Sequence, residues 1–170
     1  MFALRMTTRN GERRNALRSL IAPLAFLLFL CAATPLHASE AFVLRISDWK
    51  SGKVYAEHPV KVGSRLFFGW IHSFEKIPWN EYFHIDAKRQ IILDAITFPA
   101  FGAGIPENKG RVCYIKDGLI HMEQIDQTFS EIVWLNSHTA TRDIKLDDAL
   151  VTRGRDLPQH TRLRLVIEKK

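Results

Sequence analysis

The chain has 170 residues, with 24 Lys and Arg against 18 Asp and Glu and a formal charge of +6. That length is one domain, or one domain with an appendage. The charge sits unevenly: residues 1–38 hold five arginines and one glutamate, leaving 19 basic against 17 acidic side chains in residues 39–170. So balanced a body lacks the clustered basic face that nucleic-acid binding needs, and nucleic acid is excluded as a partner.

In chain order, Arg5, Arg9, Arg13, Arg14 and Arg18 precede an apolar run over residues 20–33, broken by Pro23, and Leu36-His37-Ala38 closes it on a small residue. A basic end, a short apolar middle and a small-residue exit predict a secretory signal helix over 1–38, with a single all-β domain over 39–170 in the periplasm. The run is shorter than the roughly 20 residues of a spanning helix, so any membrane attachment would come from an uncleaved leader. Arg13-Arg14 leaves the general secretory and twin-arginine routes both open. Bulky residues before Cys31 argue against lipidation. With Cys31 in the leader, Cys113 stands alone and no internal disulfide is expected.

Beyond the leader, apolar and polar residues alternate over five to eight positions between Gly, Pro, Asp and Asn, which is strand patterning. Strands are predicted over 42–47, around 54–56, over 66–72, 79–85 and 91–98. Lys116-Asp117-Gly118 between two alternating runs predicts a tight hairpin joining 111–115 to 119–123, because Asp-Gly suits two central residues at positive φ. Strands at 132–135 and 144–146 follow, then a helical turn around 146–150. A closing strand turns Leu163, Leu165 and Ile167 one way, with its arginines on a solvated sheet edge. Nine or ten such strands make an antiparallel sandwich or a partly open barrel.

The densest chemistry lies in HSFEKIPWNEYF, His72 to Phe83. Alternation puts Leu66, Phe68, Trp70 and His72 on one face, and Trp79, Glu81, Phe83 and Ile85 on the facing row. Glu81 is thus a carboxylate in an apolar row, where it must be hydrogen-bonded, paired or protonated. A hairpin closing through Pro78 would let His72 and Glu81 meet. Such a pair reads either as an ion pair fixing register or as a general acid and base, with Glu75 or His84 as a further member; buried pairs more commonly serve structure. Ser73 diverges from His72 on a strand, which disfavours a nucleophile and base couple. Ligand spacing for a metal is lacking, so no metal or other cofactor is expected.

Phe101-Gly102-Ala103-Gly104 follows a strand and could approach another backbone or present an anion nest, but it lacks the phosphate-loop lysine. His72-Ser73-Phe74-Glu75, then Glu81, an aromatic strand and Phe101-Gly102-Ala103-Gly104-Ile105-Pro106 together resemble the bacterial domain-of-unknown-function family 1850; Ser137-His138-Thr139 and the closing strand also fit. Phe74 departs from the small aliphatic residue usual there. The resemblance maps shared positions to His72, Ser73, Glu81, Gly102 and Gly104 and carries no established activity. It implies association with TAXI-type TRAP transporters, binding-protein-dependent carriers of small organic anions. Three functions follow as expectations: an exported accessory module docking on a carrier membrane or solute-binding subunit, a periplasmic hydrolase or lyase using His72 and Glu81, and a carbohydrate or lipid binder using Trp49 and Tyr55.

Overall fold

The structure, a computed structural model, describes residues 41–104 and 108–170. The leader, and the Ile105-Pro106 end of the glycine loop, lie outside the described residues. Eleven strands follow one another: β1 Phe42–Asp48, β2 Val54–Val60, β3 Arg65–Ile71, β4 Pro78–Ile85, β5 Ile91–Phe98, β6 Val112–Lys116, β7 Leu119–Phe129, β8 Glu131–Leu135, β9 Thr141–Leu146, β10 Ala149–Arg153 and β11 Arg162–Lys169, with one 3-10 turn, Gly154–Asp156, before the last. They form two antiparallel sheets, one ordered β2-β1-β11-β8 and the other β10-β9-β3-β4-β5-β7-β6. Neither closes on itself, so the expected sandwich stands and the barrel does not. No described helix is long and apolar enough to cross a membrane.

The alternating rows meet between the sheets. Leu44, Ile46, Leu163 and Leu165 from the smaller sheet are fully buried against Leu66, Phe68, Phe83, Leu93, Ile96, Phe98 and Met122 of the larger one. Each such side chain stabilises the fold by about 1.5–3 kcal/mol through the apolar area it removes from water. The chain changes sheet four times: between β2 and β3, at Ser130 between β7 and β8, between β8 and β9, and through the turn before β11. A strand that crosses to the other layer at a corner is a common way to close a sandwich edge.

Turn chemistry sets the connections. Asp117 and Gly118 take φ of 53° and 75°, as the Asp-Gly hairpin predicts. Asp48 holds the β1–β2 turn by accepting Lys50 N–H at 2.9 Å and Ser51 N–H at 2.6 Å through Oδ1. The helical turn expected around 146–150 is instead a two-residue hairpin. Asp147 and Asp148 sit at φ of 49° and 67°, and the Asp147 carboxylate accepts Arg65 N–H at 2.8 Å and Ser64 O–H at 3.0 Å. These bonds hold Asp147 in its left-handed conformation, Asp148 pairs with the Arg65 guanidinium at 2.9 Å, and β10 pairs with β9 beyond the turn.

The closing strand is also not an edge. β11 lies between β1 and β8, and its outer face joins an ion-pair network: Arg45 to Glu57 and Glu168, Arg164 to Glu168 at 3.4 Å and to Glu131 at 3.9 Å. Arg164 of this tail faces the cross-strand Glu131, and Arg45 of β1 the cross-strand Glu57 and Glu168, a registry device of antiparallel pairs.

Candidate functional site

β3 and β4 place the site. Their register sets Trp70 against Trp79 and Phe68 against Glu81, and the hairpin closes one step earlier than expected, at His72 and Ile77, where His72 N–H donates to the Ile77 carbonyl at 2.8 Å. Lys76 takes φ of 57° in the loop, and its N–H donates to the His72 carbonyl at 2.9 Å. Pro78 opens β4 rather than closing the turn. His72 and Glu81 therefore share a face but lie on opposite sides of the tryptophan pair. No hydrogen bond or ion pair joins them among the described residues, and the couple on which a hydrolase or lyase was expected is not assembled.

On the His72 side, rings stack in sequence. The imidazole lies 5.7 Å from Trp70 and 5.8 Å from Trp79, and Trp79 lies nearly parallel on Phe98 at 4.7 Å, with Phe101 edge-on beyond it at 5.8 Å. His72 Nδ1 accepts Glu75 N–H at 3.3 Å. Glu75 then reaches across to the glycine loop, where its Oε1 accepts Ala103 N–H at 2.6 Å. Its carboxylate fills the space in front of Gly102 so closely that a Cβ there would overlap it, and Gly104 backs the imidazole edge. His72, Glu75, Phe101, Gly102, Ala103 and Gly104, far apart in the chain, thus converge in one knot. Ser73 is exposed in the hairpin loop and makes no hydrogen bond among the described residues.

Glu81 has a different setting. Its Oε1 accepts the Trp79 indole N–H at 3.2 Å, and its other side opens on a cleft of about 290 Å³ between the sheets. Phe68, Trp70, Trp134, Leu135 and Thr141 are among the walls of that cleft. Burial pushes the Glu81 carboxyl above its ordinary value; the Trp79 indole, the Lys109 charge and the Trp70 indole pull it back less strongly. Desolvation wins because the two indoles carry no charge and the Lys109 charge acts less strongly than burial.

The remaining expected residues stand elsewhere. His84 pairs with Asp94 at 2.8 Å, on the outward row of β4, and takes no part with His72. His138 donates through Nε2 to the Leu157 carbonyl at 2.8 Å, and Trp49 lies under the Arg162 guanidinium at 4.3 Å. Tyr55 neighbours Lys53, and neither aromatic of the binder reading lines the Glu81 cleft. Cys113 is a free thiol on β6. Among the described residues no group of three or more His, Cys, Asp or Glu is arranged to share a metal ion. The tryptophan clamp went unread in the sequence, although Trp70 and Trp79 were visible in the same-face rows; the contribution of Trp134 needed the strand crossing at Ser130.

No curated protein and no solved structure matches the chain. The model of a family described as Domain of unknown function (DUF1850) matches residues 67–152, from β3 into β10, just over half of the sequence. That span holds the His72 hairpin, Glu81 and the glycine loop, and the chain belongs to the DUF1850 family.

Proposed function

We propose that this protein is an exported accessory module that binds a small organic acid in the Glu81 cleft and works beside a TAXI-type TRAP carrier, on its membrane or solute-binding subunit. The observation that carries the binding half is a carboxyl with a raised proton affinity, set among donor-only indoles and opening into an apolar cleft. A protonated Glu81 donates a hydrogen bond, and a ligand carboxylate accepts it, so the two acids share one proton while the apolar tail lies against Trp70 and Trp134. The basic leader and the family resemblance support export and carrier partnership. Exposed Phe74 and Phe101, in loops at the same end of the sheet as the His72 hairpin, offer apolar contacts for a docking partner.

Binding without catalysis fits the site, because the side-chain hydrogen bonds of Glu81 among the described residues run to indoles and not to a base or nucleophile. Titration of tryptophan fluorescence with hexanoate tests the reading, with hexylamine as the oppositely charged control. Hexanoate binding is expected to tighten as pH falls from about 8 toward about 6, since uptake carries a proton. Glu81→Gln should bind with little pH dependence, its amide replacing the protonated donor, and Glu81→Ala should bind weakly. Preference for hexylamine, or hexanoate binding indifferent to Glu81, would sink the proposal. Carrier subunits should co-purify from gently solubilised membranes of cells that make both; repeated absence counts against docking.

A further inference from the structure

A second cleft, of about 370 Å³, lies at the junction of β9, β10 and the 3-10 turn and is lined by His138, Thr139, Arg142, Asp143, Arg153 and Arg155, with Ile71 and Thr141 completing it. Three guanidinium groups thus border one small space. Its construction depends on Gly154, which is buried; a Cβ there would overlap the Thr141 carbonyl. That close approach lays the turn across the start of β9, so Arg153 and Arg155, one on each side of Gly154, reach the cleft that Arg142 enters from β9 itself.

Local carboxylates do not neutralise this charge. Asp143 is shared between Arg153 Nε at 3.4 Å and Lys145 at 3.8 Å, and Arg155 meets its neighbour Asp156 only at 4.0 Å. The Arg142 side chain is exposed on β9 and makes no hydrogen bond or ion pair among the described residues. Counting Lys145 and Asp156 with the cleft, four cations face two carboxylates. Guanidinium groups offer planar pairs of N–H donors that match carboxylate and phosphate oxygens two at a time. Crowded like charges raise the potential of a concave site and attract an oppositely charged solute.

We infer that the Arg142, Arg153 and Arg155 cleft binds a compact dianion carrying carboxylate or phosphate oxygens. Arg142 and Arg155 supply the open forks, Arg153 stays oriented by Asp143, and the Thr139 hydroxyl, 3.1 Å from Ser137 Oγ, borders the same space. The site shares Thr141 with the Glu81 cleft but differs from it in chemistry: it takes a fixed negative charge without a proton.

Calorimetric titration of the purified protein at low ionic strength tests this, with inorganic phosphate and succinate as probes and acetate as the singly charged control. Saturable binding of phosphate or succinate, tighter than acetate, is expected, and which of the two binds better distinguishes a phosphate from a dicarboxylate ligand. The Arg142→Gln, Arg155→Gln double variant should weaken it by roughly tenfold or more, because two charge-assisted contacts are lost. Glu81→Gln should leave it unchanged, which separates failure here from failure of the organic-acid cleft. Thermal melts check folding; if the double variant misfolds, the exposed single Arg142→Gln carries the test. No saturable binding, an equal loss in a Lys88→Gln, Lys116→Gln control, or binding of a tri-glutamate peptide but of neither small dianion would overturn the inference, the last by reassigning the cleft to an acidic partner segment.

Discussion

Replacing Gly102 by Ala probes whether the glycine loop is held by Glu75. Gly102 adopts no left-handed φ, so alanine meets no backbone penalty. Its Cβ would instead overlap the Glu75 carboxylate and push it away from Ala103 N–H, which it now accepts at 2.6 Å. A hydrogen bond to a charged group contributes about 1.5–3 kcal/mol, and its loss sets the scale of the damage. In a domain of this size that lowers the melting temperature by about 3–4 °C per kcal/mol, thus about 5–12 °C. The diagnostic is a double-mutant cycle: in a Glu75→Ala background the space is free, and Gly102→Ala should be nearly neutral, giving a coupling of about 1 kcal/mol or more. Urea unfolding of the four proteins reads it. Equal destabilisation in both backgrounds would refute the contact as the reason for glycine.

Other outcomes follow from the same geometry. Asn136 is fully buried, and its Nδ2 donates to the carbonyls of Gly154 at 2.9 Å, Leu157 at 3.3 Å and Pro158 at 2.9 Å; Asn136→Ala should lower unfolding free energy by about 2–4 kcal/mol in denaturant melts, and a loss below about 1 kcal/mol would contradict its role as the bridge. Trp79→Phe removes the indole donor to Glu81, so the variant should be less stable than the parent near neutral pH, with part of that gap closing as pH falls through the raised Glu81 value, above the ordinary carboxylate range; a gap that does not change with pH would dismiss the indole bond. Arg164→Ala, on the outer face with Glu131 and Glu168 as partners at 3.9 and 3.4 Å, should shift stability by only about 1 kcal/mol, and less at high salt.

The sequence made the layers legible because strand alternation reports directly which side faces the core: Leu163 and Leu165, and Phe68 with Phe83, lie where their rows put them. Register was harder, since it depends on loop length. A four-residue loop closing at His72 and Ile77 sets Trp79 across from Trp70 and Glu81 across from Phe68, not beside His72. The same face was read correctly and the partner was not. β10 and the arginine cleft were hidden for a local reason: Asp147-Asp148 becomes a turn only through hydrogen bonds to Ser64 and Arg65, more than eighty residues away in sequence. The knot at Gly102 shows the reverse case, where a motif singled out for its glycines is explained by one long-range carboxylate.

The Glu81 cleft is tested most directly by comparing the stability of Glu81→Gln with that of the parent across pH. A folded-state value raised above the unfolded one means the native protein holds its proton longer, so the parent's stability is fully present below the unfolded value, about pH 4.3, and falls as pH rises through the folded value. Glutamine has no proton to lose. The account predicts that the variant matches the parent at acid pH and gains on it as pH rises. A difference that stays flat would mean that Glu81 is solvated, and a variant that loses ground with rising pH would mean that an ionised Glu81 is held by a cation, contradicting the indole-clamped acid at the centre of the site.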